Sequence, residues 1–397
     1  MKKLTAILLA LVLTGCAVQT AAPAVTTLPT AAPTEQTTAP AETTAPTTVA
    51  TEPTTEATEP PTIYEIYSPI IDSMTTEELV GQLFLAHYPG HEQAAADIEN
   101  YHIGGFLLFS YDFERETPES IRAALDVLQQ QSKTGLLIAT DEEGGTVTRV
   151  SRHSQFRDSL FPSPRSLYDE GGLPLVLEIE EEKCKLLLRS GVNVNIGPVC
   201  DITTEAGAFM HSRSLGQDPD TTAQYITQVV QTMHSQGVGN VLKHFPGYGN
   251  NADTHIGTAV DNRTLQTLTD NDLVPFAAGI EANCDAIMVS HTVIGCLDDR
   301  CPATLSPVVV GYLRDTMGFE GVIITDDMAM DAITRQYSSP SAALLAVLAG
   351  NDLICTSDYQ TQYEAILLKV NDGTIPIERI RQSVARILKW KDDLGLL

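Results

Sequence analysis

The feature that most constrains this chain is a repeated alternation of pattern. From about Ile63 onward, short apolar runs rich in β-branched residues alternate with longer amphipathic stretches, and each run ends in polar residues or glycine. Eight runs can be counted: QLFLA (82–86), GGFLLFS (104–110), LLIAT (136–140), VNVNIGPV (192–199), GNVLKHF (239–245), AIMVSH (286–291), GVIITD (321–326) and DLICTS (352–357). Helical patterns such as ESIRAALDVLQQQSK (119–133), TTAQYITQVVQTMHSQG (221–237) and DNDLVPFAAGIEAN (270–283) lie between them, and IERIRQSVARILKWK (377–391) follows the eighth. Eight strand–helix units in about 335 residues predict a single (β/α)8 barrel over residues 63–397. An open doubly wound sheet is the competing α/β architecture, but no GxGxxG follows the first run.

In such a barrel, chemistry is built at the carboxyl ends of the strands. The polar residues of this chain fall there. Asp141 closes the third run, Asp201 follows the fourth, Lys243 and His244 close the fifth, Ser290 and His291 the sixth, and Asp326 with Asp327 the seventh. One polar residue at a strand end is more often a cap or a loop contact; five ends together point to one site. The segment KHFPGYGNNADTHIG (243–257) is the densest of these. It sets two His, a Lys, an Asp and a Tyr among glycines and a proline, where no helix can form. From the residues alone, His255 reads as a metal ligand or an exposed loop histidine at least as readily as a catalytic group.

The chain before Ile63 is of another kind. Residues 1–16, MKKLTAILLALVLTGC, have two lysines, a short apolar run and Leu13-Thr14-Gly15-Cys16, the pattern of a secretory signal rather than a membrane span. The small residue before Cys16 resembles a bacterial lipobox, which implies cleavage there, acylation of Cys16 and a protein tethered outside the cytoplasmic membrane. Residues 17–62 are nearly all Thr, Ala, Pro, Glu and Val, too poor in apolar surface to fold, and read as a disordered, extended linker. The formal net charge of −27 argues against nucleic acid as a partner. The remaining six cysteines give neither a disulfide framework nor a paired CxxC zinc pattern; Cys296 and Cys301 are near enough in sequence to bridge one loop, but isolated thiols are the favoured reading.

The strand-end residues resemble those of glycoside hydrolase family 3, and more narrowly its single-domain β-N-acetylglucosaminidase branch. The matching pieces are MTTEELVGQLF (74–84), ATDEEGGTVTR (139–149), NIGPVCDI (195–202), SRSLGQDP (212–219), KHFPGYGNNADTH (243–255), MVSH (288–291) and ITDDMAM (324–330), in family order along nearly the whole folded region. The resemblance implies Asp326 as nucleophile, His255 as general acid/base steered by Asp253, and Asp141, Arg149, Arg213, Lys243 and His244 as sugar-binding residues. It implies a carbohydrate substrate, no cofactor and no metal. Lys243 has an alternative role as a salt-bridge partner of a strand-end Asp, and Asp327 is expected to cap the helix of MAMDAI.

Two departures stand out: Tyr248 occupies a position where many relatives have His, and the gap from Gly249 to Asp253 is about one residue shorter. Within the family a β-glucosidase or a glycoside phosphorylase are alternatives, and outside enzymology a non-catalytic wall-binding lipoprotein is another.

Overall fold

The computed structural model describes residues 61–203 and 205–397. The expected signal segment, Cys16 and all but the last two residues of the expected linker lie outside the described residues. The linker's final residue belongs to the fold: the Thr62 side chain caps the helix Ile63–Ile71 in a reciprocal capping box with Glu65. No helix among the described residues is long and apolar enough to cross a membrane.

Seven of the eight apolar runs contain a strand, and the first overlaps one that runs a residue further: β1 Phe84–His87, β2 Gly105–Leu108, β3 Leu137–Thr140, β4 Val194–Asn195, β5 Gly239–Phe245, β6 Ala286–Val289, β7 Val322–Thr325 and β8 Ile354–Thr356. All are parallel to their neighbours, and β8 pairs with β1. The remaining edges, β7 and β8, meet through a parallel bridge between Ile324 and Leu353 and the Thr325 N–H donated to Leu353 O at 3.0 Å. The sheet is therefore a barrel and not an open doubly wound sheet. Helices cover its outside, among them Pro118–Gln131, Pro219–Gln236 and Ile377–Asp393. Two of these start where Thr117 and Asp218 cap the first turn with Pro in the next position.

The pairing register decides which side chains meet inside. Followed once round the barrel, the registers return to β1 displaced by eight residues, the shear expected of this architecture. Inward-facing residues from odd and even strands consequently fall into alternating tiers. Leu85, Ala139, Val241 and Ile324 make one, and Leu107, Ile196, Met288 and Cys355 the next above it; all eight belong to one buried cluster. One further step toward the carboxyl ends brings His87, Asp141, Lys243 and Asp326 to the same height. The tier above the apolar core is polar throughout.

The opposite end is sealed. Ile387 and Trp390 of the last helix, with Leu394 and Leu396 behind it, pack into the interior cluster. Trp390 lies so close beneath Gly239 that a Cβ there would sit 2.8 Å from the indole nitrogen. Next to this plug, Asp352 is fully buried. Its carboxylate accepts from Arg314 Nη2 at 2.6 Å, Ile323 N at 3.1 Å, Ser383 Oγ at 2.6 Å and Arg386 Nη1 at 3.2 Å, with Arg379 Nη1 at 3.6 Å. Lys391 is also fully buried and donates to Gln82 Oε1 at 2.7 Å and Gly135 O at 2.9 Å.

Candidate active site

The polar tier opens into a cavity of about 550 Å³ at the carboxyl ends of the strands. Its walls include all eight residues to which the family resemblance gives a catalytic or sugar-binding role: Asp141, Arg149, Arg213, Lys243, His244, Asp253, His255 and Asp326. A larger hollow of about 860 Å³ lies at the other end, among residues that precede the strands, such as Gln82, Ile103 and Thr134, and none of the eight reaches it.

Asp326 follows β7, its N–H held by Val289 O at 3.0 Å. One carboxylate oxygen, Oδ1, accepts the Asp327 N–H at 2.8 Å, while Oδ2 is buried and has no hydrogen-bond partner among the described residues. Burial pushes this carboxyl up, but the fields of His291 and His244 and the Asp327 N–H outweigh it, so its pKa lies below the ordinary carboxylate value. The group is ionised near neutrality with one oxygen unengaged.

A chain of charged contacts lies across the cavity from β3 to β5. Lys243 Nζ is 2.7 Å from Asp141 Oδ1 and 2.6 Å from Glu143 Oε1. Arg213 grips Glu143 with two nitrogens at 2.6 and 2.9 Å, and its Nη2 lies 3.4 Å from His244 Nε2. His244 Nδ1 is 2.8 Å from Asp201 Oδ2, and Asp201 Oδ1 accepts the Tyr248 N–H at 2.7 Å. Asp201 thus ties β5 to the following loop. Lys243 does pair with strand-end carboxylates, as the alternative reading had it, and still borders the cavity. Arg149 Nη2 stands 3.7 Å from Asp141 Oδ2 and lies over the Phe109 ring.

Glu143 was missed by the sequence reading. Burial pushes its carboxyl up, yet the Lys243 and Arg213 cations beside it hold the pKa well below the usual carboxylate range. The signal was present: in ATDEEGG, Glu143 stands two residues beyond Asp141. The intervening Glu142 turns away and accepts the N–H groups of Arg149 and Val150 at 2.8 and 2.7 Å, which folds the loop that carries Arg149.

The loop after β5 holds its two ends differently. Gly247 and Gly249 take φ of +116° and +53°, a conformation L residues rarely adopt, so these glycines shape a tight turn. Tyr248 between them is buried and its hydroxyl contacts the Thr254 hydroxyl. Thr254 is itself buried, and its carbonyl accepts the Ala332 N–H at 3.3 Å. The flanking groups point outward: His255 Nδ1 is 2.6 Å from Asp253 Oδ1, and the His255 side chain is 55% exposed. The result is an imidazole whose one nitrogen is fixed by a carboxylate and whose other faces solvent and cavity. Phe209 backs it, 6.0 Å from the His255 ring and 5.6 Å from Tyr248. Nothing in the sequence pattern had marked Phe209.

Asp327 is not the helix cap expected for MAMDAI. The helix there, Asp331–Thr334, has no side-chain cap; Asp327 instead closes a turn through the Ala329 N–H at 2.9 Å, and its other oxygen is 3.1 Å from His87 Nε2. Cys296 and Cys301 are free thiols.

Comparison with known proteins adds to this geometry. Residues 75–390 match the family model described as the glycosyl hydrolase family 3 N terminal domain. A β-hexosaminidase of Hydrogenovibrio crunogenus is 32% identical over 287 residues, covering 70% of this chain and 78% of that one. The β-hexosaminidase LpqI of Mycobacterium tuberculosis is 28% identical over 331 residues, 80% of this chain and 83% of its own. Among solved structures, a family 3 β-N-acetylglucosaminidase from a Paenibacillus species is 31% identical with a TM-score of 0.76, over 82% of this chain and 63% of that longer one.

Proposed function

The chain belongs to glycoside hydrolase family 3, and from that premise we propose that this glycosidase releases terminal β-linked N-acetylglucosamine in two retaining steps, with Asp326 as nucleophile and His255 as acid/base. One observation carries the reading: a buried, ionised carboxylate with an unpaired oxygen shares a cavity with an imidazole oriented by its own carboxylate. In the first step Asp326 Oδ2 attacks the anomeric carbon while the departing oxygen takes a proton from His255. In the second, water gives a proton to His255 and attacks the same carbon, freeing Asp326. Asp253 keeps the ring oriented through its contact with Nδ1. Asp141, Arg149, Arg213, Lys243 and His244 bind the sugar hydroxyls; their mutual pairing prepares fixed donors and acceptors before substrate arrives.

The names of the relatives support N-acetylhexosamine as the sugar. Initial rates on an aryl β-N-acetylglucosaminide and an aryl β-glucoside decide it, the first being faster by orders of magnitude. Equal rates, or a preference for the glucoside, overturn the specificity. The same assay in phosphate and in an inert buffer separates hydrolysis from phosphorolysis through the identity of the product.

The location of the enzyme is part of the proposal. Residues 1–16 act as a lipoprotein signal, Cys16 carries the lipid, and residues 17–62 hold the barrel away from the outer face of the bacterial membrane, where fragments of cell-wall glycan are the substrate. Cys16→Ser releases or misprocesses the protein; unchanged partition with membranes removes the anchor from the account.

A further inference from the structure

Three adjacent strands, β7, β8 and β1, bring Asp327, Cys355 and His87 together, and the first two of these residues line the cavity. One ligand atom from each, an imidazole nitrogen, a carboxylate oxygen and a sulfur, lies within 4.8 Å of the other two. None of the three has a part in the glycosidic reaction proposed above. Their positions follow from the barrel's register. His87 and Cys355 both face inward, in consecutive tiers, on strands paired Leu85 to Cys355 and Ala86 to Thr356. The turn that carries Asp327 is drawn over the end of β8 because the Met328 N–H donates to Cys355 O at 2.9 Å.

His87 Nε2 is 3.1 Å from Asp327 Oδ2, yet the two do not form a hydrogen bond, and Nε2 is buried with no other partner. The Nε2 atom is thus left without a hydrogen-bond partner among the described residues, beside a carboxylate oxygen and a sulfur. Ligands about 2.0–2.1 Å from a tetrahedral zinc ion stand roughly 3.3 Å apart, so the spacing suits a shared ion as well as it fails a shared proton. Asp327 is free to serve, because its Oδ1 is already engaged by Ala329 N and Oδ2 alone faces His87. The His87 ring is steadied by Phe109, 4.7 Å between centroids. Cys355 is 1% exposed overall but borders the cavity together with Asp327, so an ion can reach it from the cleft.

We propose that His87, Asp327 and Cys355 form a binding site for a thiophilic divalent cation of the zinc class, and that an ion held there inhibits the enzyme. A nitrogen, oxygen and sulfur set selects zinc, cobalt(II) or cadmium over magnesium and calcium, which take oxygen ligands. Binding replaces the thiol proton, which leaves to solvent, by a sulfur–metal bond and changes no oxidation state. Three protein ligands leave a fourth position open toward the cavity. The ion and the exogenous ligand it carries occupy space next to Asp326, the residue immediately before Asp327, and exclude the sugar. The hydrolytic steps themselves use no metal.

The test uses the full chain. Cobalt(II) titration is expected to give the strong visible bands of a tetrahedral site with a thiolate-to-cobalt band in the near ultraviolet. That band disappears in Cys355→Ser and remains when Cys296 and Cys301 are replaced by serine. Zinc is expected to inhibit aryl-glycoside turnover competitively, with the zinc dissociation constant rising about 10–100-fold in Cys355→Ser and in His87→Gln. Should Cys355→Ser fail to fold, His87→Gln and Asp327→Asn carry the same comparison from more exposed positions. The proposal is overturned if cobalt binds without a thiolate band, or if the band is lost with Cys296 instead. It is also overturned if zinc inhibition survives Cys355→Ser and His87→Gln but vanishes in His255→Ala, which assigns the ion to the Asp253–His255 pair. The spectroscopic arm stands apart from the glycosidase reading, whereas the inhibition arm rests on it.

Discussion

Asp326 and Asp352 are both buried carboxylates held below the ordinary carboxylate pKa, one at each end of the barrel. Asp352 owes its charge to Arg314, Arg386 and Arg379, and both of its oxygens are occupied. Among the described residues Asp326 has no arginine or lysine partner, and one of its oxygens is bare. Burial alone therefore does not separate a structural charge from a reactive one; the difference is whether the lone pairs are already taken. The same contrast holds for lysines. Lys243 at the open end touches two carboxylates, and Lys391 at the sealed end touches only an amide and a backbone carbonyl oxygen.

If that contrast is right, the two aspartates fail in opposite ways. Asp326→Ala should lower kcat/KM on the order of 10⁴-fold and abolish the glycosyl-enzyme, while the melting temperature holds or rises, because a buried charge without a cation partner leaves the fold. Wild-type turnover in that variant would remove Asp326 from the mechanism. Asp352→Ala should leave kcat of the folded enzyme unchanged and cost about 3–5 kcal/mol in urea denaturation, since it strands three arginines. A loss of turnover at full stability breaks the comparison.

The next test sharpens the open end. His255→Ala should lose about 10²–10⁴-fold on a natural disaccharide but show a burst of product with an activated aryl glycoside, followed by partial rescue with azide. The leaving group then needs no acid, while the second step still lacks its base. Equal losses on both substrates without a burst mean that His255 only binds sugar.

At the sealed end, burial lowers the Lys391 pKa to about 7 from an unfolded value of 10.5. Between those limits the unfolded chain holds the extra proton. Unfolding free energy therefore climbs with pH from about 7 to 10.5, by at most about 1.4 kcal/mol per unit, and the contribution is constant below 7. Lys391→Met should flatten that slope, as read from urea midpoints across the range. The smallest effect expected is that of Tyr248→Phe, which removes only the hydroxyl contact with Thr254. It should cost about 0.5–1.5 kcal/mol of stability and a few-fold in kcat, more on the disaccharide than on the activated substrate.

The eight strands were legible because each run combines β-branched residues with a polar end, and the strand-end rule then gathered residues up to 185 positions apart, Asp141 to Asp326, into one cavity. Glu143 was within reach of the same two-residue alternation. Phe209 was not, since it sits in an irregular loop without a period. The arginines around Asp352 come from positions 314, 379 and 386, and only the barrel's closure brings them to one carboxylate. The Asp327 reading failed for a local reason. A carboxylate before a helix usually caps it, but here the chain makes a separate turn first, which frees one oxygen for His87.

The tiers have a consequence for how such a chain tolerates edits. A substitution at His87, Asp141, Lys243 or Asp326 alters only the uppermost storey and leaves the apolar ones below untouched, so the mouth is open to point replacement. A change of length is different in kind. Deleting one residue inside β7 moves every later side chain of that strand to the opposite face, sending the carboxylate of Asp326 outward to the helices and exchanging the barrel-facing Ile324 for its neighbour. One frame is shared by core and cleft. The strands are a ruler whose length cannot drift, while the last mark on each is free to be rewritten.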